Sequence, residues 1–95
     1  MEILVQIIEQ HPLKERQYTD KSGNNRIIAT RGFILSNGIN TFYAEMNGDK
    51  ARNISQLPTD VLYNADVQFR MRSYKTQKDE TVWVNDIYLN NISQF

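Results

Sequence analysis

Residues 67–89 read VQFRMRSYKTQKDETVWVNDIYL, two strand-like runs on either side of a charged turn at residues 75–80. In the first run apolar side chains alternate with polar ones, and this period of two predicts a β-strand with one apolar face. The apolar face carries Val67, Phe69 and Met71. The opposite face carries Arg70, Arg72 and Tyr74. Guanidinium and aromatic groups side by side can pair with phosphates and stack on bases, so this face is the first candidate for a nucleic-acid contact.

Similar alternation and turn signals divide the rest of the chain into three more strands and one short helix. The predicted strands before the final hairpin are residues 2–10, 26–35 and 39–46. The helix is expected from Asp49, as its N-cap, to about Gln56, where Leu57 and Pro58 end it. Residues 11–25 are polar and end in Ser-Gly-Asn-Asn, so they are expected to form a long loop of the kind that often binds ligands.

The resulting order is strand, long loop, strand, tight turn, strand, short helix, strand, charged turn, strand. This order predicts an all-β domain with one short helix, a five-stranded OB-fold Greek-key barrel spanning residues 1–95 as a single domain. Closure of the sheet would remove the exposed edges that five apolar strands otherwise present. An SH3-like barrel is the nearest alternative, but it has no helix at that position.

The composition is typical of one folded domain in the cytoplasm. Apolar residues make up 40% of 95 residues, which is enough for a modest single core. The chain has no cysteine, so disulfides, thiolate metal sites and cysteine nucleophiles are excluded. The apolar run at residues 3–8 is too short for a membrane span or a signal peptide, so no membrane partner is expected.

Charge is balanced overall but is separated along the chain. Eleven basic and eleven acidic residues give a net charge of zero, so attraction of a polyanion has to come from local clusters. Basic residues concentrate in two segments, 14–31 and 70–80, which include the loops that frame the oligonucleotide-binding face of an OB fold. The candidate nucleic-acid contacts are Arg16, Tyr18, Lys21, Arg26, Tyr43, Arg70, Arg72, Tyr74, Lys75 and Lys78.

The aromatic residues divide into candidate base platforms and candidate core. Tyr74 can stack on a base or pack across the hairpin on Val82 or Val84, and both interpretations stay open. Tyr18, in a polar segment, and Tyr43, on the polar side of its strand, are expected to contact the ligand. Alternation places the other bulky aromatics in the core: Phe33, Phe42, Phe69 and Trp83.

No residue pattern predicts catalysis. His11 is the only histidine, and a metal site needs three or four converging ligands, so neither a metal nor a cofactor is expected. No serine has a histidine partner in a known motif, and no glycine-rich phosphate loop is present. The sequence is therefore interpreted as that of a non-enzyme.

Three segments carry a resemblance to a known family: MEILVQIIEQHPL at residues 1–13, GDKARNISQL at 48–57 and VQFRMRSYKTQKDETVWVNDIYL at 67–89. They resemble bacterial single-stranded DNA-binding proteins and small bacterial OB domains related to them. The last segment looks like that family's pattern of a strand with a basic residue and a tyrosine, a polar turn, then an aromatic-led strand. The resemblance covers nearly the whole chain in order and implies a nucleic-acid-binding or accessory OB domain.

Two hypotheses follow. The first is a non-catalytic module that binds single-stranded nucleic acid, DNA rather than RNA, through basic loops and aromatic stacking. A homo-oligomer is compatible with this hypothesis. The alternative is a protein–protein interaction or assembly module that touches no nucleic acid. The zero net charge and the shortage of exposed aromatics on the second predicted strand favour the alternative.

Overall fold

The computed structural model describes residues 1–95 and contains six strands and one short helix. In chain order the elements are β1 (Glu2–Gln10), β2 (Lys14–Thr19), β3 (Asn25–Ser36), β4 (Thr41–Asn47), α1 (Asp49–Asn53), β5 (Tyr63–Lys75) and β6 (Thr81–Gln94). Strands account for 64% of the residues, so the prediction of a mostly β chain with one short helix is confirmed. The predicted bounds of the first strand, residues 2–10, match β1.

The prediction of five strands and a long first loop was wrong, because residues 14–19 form an additional strand. β2 pairs antiparallel with residues 25–30 of β3 and makes a hairpin. One oxygen of the Asp20 carboxylate accepts the backbone N–H groups of Ser22 and Asn24, both at 2.9 Å, and Gly23 takes a positive φ of 82°. Every residue of β2 is exposed, so the strand lacks the apolar alternation from which a strand is predicted.

The six strands form one sheet in the order β1-β5-β6-β4-β3-β2, and β1 also pairs with β3. β1 makes both connections by using residues 2–5 against β5 and residues 6–10 against β3. Five strands therefore close into a ring, with β2 attached outside it along β3. The junction of β4 and β6 is the one parallel pairing, through Glu45 and Tyr88.

The core fills the inside of this ring. Its fully buried large side chains include Phe33, as predicted, and Phe42 packs against the core from a half-buried position. The core residues are Val5, Ile7, Phe33, Leu35, Ala44, Met46, Ala51, Tyr63, Ala65, Val67 and Leu89. They come from the inner face of each ring strand and from α1, which packs on β3 and β4.

Helix α1 is shorter than predicted and begins differently. It spans Asp49–Asn53 rather than reaching Gln56, and its N-cap is Gly48 at φ 77°, with no side-chain capping bond, so the predicted Asp49 cap was wrong. Arg31 donates hydrogen bonds to the carbonyls of Ala51 (3.0 Å) and His11 (3.3 Å), which ties the helix and the end of β1 to β3. The helix is neither long nor apolar enough to cross a membrane.

β5 and β6 continue together beyond the ring. They pair from Tyr63–Gln94 to Lys75–Thr81, but β5 meets β1 only at residues 63–66 and β6 meets β4 only at Tyr88. Residues 68–75 and 81–87 therefore form a two-stranded ribbon, called the ribbon below.

The ribbon overturns two core predictions. Phe69 is 57% exposed and Trp83 is 64% exposed, although both lie on the same face of their strands as the buried pair Val67 and Leu89. Met71, on the same face, is also exposed. The alternation was interpreted correctly, but no second layer of the fold lies opposite this part of the hairpin, so the apolar face remains in solvent.

Candidate nucleic-acid interface

A groove crosses the outer face of the sheet where β4 meets β6. It consists of two adjoining clefts that share Glu45 and Tyr88, with cavity volumes of about 560 and 520 Å³. The first cleft is also lined by Arg16, Tyr43 and Arg72, and the second by Lys50 and Arg70. We call these two clefts together the central groove.

The face of the ribbon that carries Arg70, Arg72 and Tyr74 continues into this groove. Arg70 lies opposite Asp86 in the register of β5 and β6, and Gln68, two residues earlier, lies opposite Tyr88. The three residues that drew attention in the sequence therefore share one face, as alternation predicts.

The two arginines of this face differ in their partners. Arg72 Nε donates to Asp86 Oδ2 at 2.7 Å, and this hydrogen bond, together with the charge of Asp86, raises the pKa of Arg72 above its usual value. Arg70 has no ion pair, and its guanidinium carbon lies 5.6 Å from the centre of the Tyr88 ring, in cation–π range. Arg70 is thus free to meet a phosphate, whereas a phosphate at Arg72 has to compete with Asp86.

The position of Tyr74 is compatible with both interpretations that the sequence left open, stacking on a base and packing across the hairpin. It lies directly across from Val82, the packing partner proposed for it, and half of its surface stays exposed to solvent. Tyr74 lies on the strand face that carries the two arginines, but it does not line the central groove.

The Tyr43 ring, on the outer face of β4, lies over Gly32 of β3. A Cβ atom at Gly32 would lie 2.5 Å from the Tyr43 ring, so only glycine leaves room for this position. The His11 ring lies 6.0 Å from the Tyr43 ring, between centroids and at a 40° tilt. Burial, and to a smaller extent the charge of Glu45, raises the pKa of Tyr43, so its hydroxyl stays protonated at neutral pH. Half of its surface is exposed, as a stacking platform requires.

The β2–β3 hairpin supplies one groove residue and one paired arginine. Arg16 lines the central groove and has no acidic partner. Tyr18, two residues along the same strand face, is half exposed. Arg26 Nε instead contacts Asp20 Oδ2 at 3.0 Å, and this bond is the main reason that the pKa of Asp20 lies below its usual value. Arg26 therefore braces the turn.

The remaining predicted lysines lie at the tips of the two hairpins. Lys75 pairs with Asp79 at 3.5 Å. Lys21 and Lys78 have no ion pair, and neither lines the central groove. The structure thus brings together Arg16, Tyr43, Arg70 and Arg72, with Tyr18 and Tyr74 on continuing faces, and it leaves Lys21, Arg26, Lys75 and Lys78 outside the groove.

Sequence analysis missed several groove residues, among them Glu45, Lys50, Asp86 and Tyr88. Alternation with Trp83 and Leu89 does place Tyr88 on the outer face, so a signal for that residue existed. Its place in a groove depends on the pairing of β6 with β4, which connects segments separated by α1 and β5. Nothing in the local pattern of either strand shows that pairing.

Comparison with known proteins adds no relative. No protein-family model matches this sequence, and a search of curated proteins found no match. Function therefore has to be inferred from the chemistry of the groove itself, which presents arginines, a lysine, tyrosines and two carboxylates.

Proposed function

We propose that this chain is a non-catalytic OB-fold module that binds single-stranded nucleic acid, DNA rather than RNA, in the central groove. The closed ring of five strands, with a helix between β4 and β5, supports the OB assignment. In an OB fold the ligand crosses the second and third barrel strands between two framing loops. Here those strands are β3 and β4, and the framing segments are the β2–β3 hairpin and the ribbon. The central groove includes β4 and extends from it to β6 rather than to β3.

One observation carries the proposal. Arg16 from the first hairpin and Arg72 from the second line one cleft, with the half-exposed ring of Tyr43 in the same cleft. Cationic side chains that follow a backbone and aromatic rings that accept bases are the two components of sequence-tolerant single-strand binding. These side chains come from distant parts of the chain and line one cleft. This convergence favours a single nucleic-acid site over the alternative of two unrelated charged loops.

The direct test is a fluorescence-anisotropy titration of a labelled oligo-dT at several salt concentrations. We expect weak to moderate binding whose log affinity falls with log salt by about 0.7 per phosphate contact, or about 2 for three arginines. Oligo-U in the same assay should bind less tightly if DNA is preferred. Absence of binding at low salt, or an affinity that ignores salt, would instead favour a protein-interaction module.

Asp86→Asn is expected to increase affinity. The substitution removes the carboxylate that competes with phosphate for Arg72, so the affinity should rise several-fold. The salt dependence should change little, because Arg72 is already one of the three phosphate contacts. Stability should change little, because the pair is at the surface, where such ion pairs contribute about 0–1 kcal/mol.

Asp49→Asn is the control for overall charge, because it also removes a carboxylate beside an arginine, Arg52, but on α1, where Arg52 keeps Glu15 as a second partner. An equal rise in both variants would mean that only the overall charge matters. An unchanged affinity in Asp86→Asn would remove Arg72 from the list of phosphate contacts.

A protein–protein interaction or assembly module remains the second candidate, since the ribbon exposes Phe69, Met71 and Trp83 on one face. Exposed apolar residues grouped in this way are typical of surfaces that meet another macromolecule. The salt titration separates the two candidates, because apolar association does not release counterions.

A further inference from the structure

We propose that Glu45 reads a base at the centre of the groove and selects guanine at one position of the bound strand. This inference rests on the proposed function, since it concerns the same groove.

Glu45 occupies the point where the clefts of this face meet. It lies in the middle of β4, opposite Gly32 of β3 and Tyr88 of β6. Both clefts of the central groove include it, and so does a third cleft on the β2–β3 side, which Arg16 and Thr30 also line.

The carboxylate of Glu45 has no partner within the chain. Asp20, Asp49 and Asp86 each pair with an arginine, but Glu45 has no ion pair and no side-chain hydrogen bond. The side chain is half-buried, so it is held in the groove floor and still reaches the clefts. A half-buried carboxylate without a partner is well placed to accept hydrogen bonds from a ligand.

The surrounding charges and rings decide which part of a strand meets this carboxylate. Phosphates are repelled by Glu45 and attracted by the arginines that line the same clefts, so the backbone follows the arginines and the bases turn toward Glu45. Tyr43, two residues away on the same face, and Tyr88, across the β4–β6 junction, provide rings beside it. A base can therefore stack on a tyrosine while its edge faces the carboxylate.

Guanine is the base whose edge fits two adjacent acceptors. Its N1–H and its N2 amino group point the same way, so one carboxylate can accept both hydrogen bonds. Adenine and cytosine present a single amino donor next to a ring-nitrogen acceptor, and thymine presents one imino donor between two carbonyls. Single strands expose this edge, which a duplex would hide.

The test compares three strands of oligo-dT that differ at one central base: guanine, hypoxanthine or adenine. The unmodified protein should bind the guanine strand about tenfold more tightly than the adenine strand, the discrimination typical of a bidentate pair. Hypoxanthine keeps N1–H but lacks the amino group, so its strand should bind with intermediate affinity. Glu45→Gln should reduce the guanine advantage to about twofold or less, because an amide offers only one acceptor.

Two further variants complete the experiment. Glu2→Gln makes the same charge change on β1, outside the clefts, and should preserve the guanine preference. Glu45→Asp keeps the carboxylate, so this variant should preserve part of the guanine preference, provided that circular dichroism shows a folded protein.

Several outcomes would overturn the inference. If the unmodified protein binds all three strands equally and with salt dependence, the proposed function stands and base selection by Glu45 is wrong. If Glu45→Gln tightens binding of all three strands while their ranking is kept, Glu45 only repels phosphate. If no strand binds at low salt, the proposed function fails and this inference fails with it.

Discussion

Phe33→Ala is expected to lower the free energy of unfolding by about 3–5 kcal/mol, whereas Phe69→Ala should lower it by less than about 1 kcal/mol. Phe33 is completely buried in the ring of strands, so alanine leaves a cavity lined by core side chains. Phe69 is 57% exposed on the ribbon, so its ring loses little contact on truncation. The total stability of a small domain is about 5–15 kcal/mol, so the Phe33 variant should be only marginally folded.

Urea denaturation followed by circular dichroism measures both losses. Comparable losses for the two variants would show that the apolar face of the ribbon is covered in solution. In that case the unfolding midpoint should depend on protein concentration if a second copy of the chain provides the cover. If the unfolding midpoint is independent of protein concentration and Phe69→Ala loses little stability, the apolar face of the ribbon is exposed in solution, as it is in the structure.

Replacing Arg16, Arg70 and Arg72 together with glutamine should nearly abolish binding of single strands. Each arginine that contacts a phosphate contributes about 0.7 to the salt dependence, so three should reduce that dependence by about 2 and the affinity by roughly a hundredfold at moderate salt. The fold should survive, because these side chains lie on exposed strand positions and none is part of the core. Anisotropy with oligo-dT at several salt concentrations gives both quantities.

The matched control replaces Lys21, Arg52 and Lys78 with glutamine, which removes three positive charges outside the central groove. It should leave most of the salt dependence intact. Two of these residues, Lys21 and Lys78, are sequence-based candidate contacts, so the control also tests them. Equal losses in the two triple variants would mean that the ligand contacts the hairpin tips, or the whole charged surface, rather than the groove.

The alternation of side chains along each strand could be predicted from sequence because it depends only on neighbouring residues. β1 and the shared face of Arg70, Arg72 and Tyr74 follow from that period of two. β2 did not follow from it, because all its side chains are exposed and the strand exists through backbone pairing with β3. A strand that buries no side chain has no hydrophobic pattern in its sequence.

What only the tertiary structure decided is where each face ends up. Phe33 and Phe69 have equally good apolar alternation, yet one is buried and the other is exposed, because the ring of strands surrounds Phe33 and stops short of Phe69. The same holds for the candidate site: Glu45 and Tyr88 become neighbours only through the parallel junction of β4 and β6. Burial and clustering are set by contacts between residues far apart in the chain. A local sequence pattern depends only on neighbouring residues, so it does not predict those contacts.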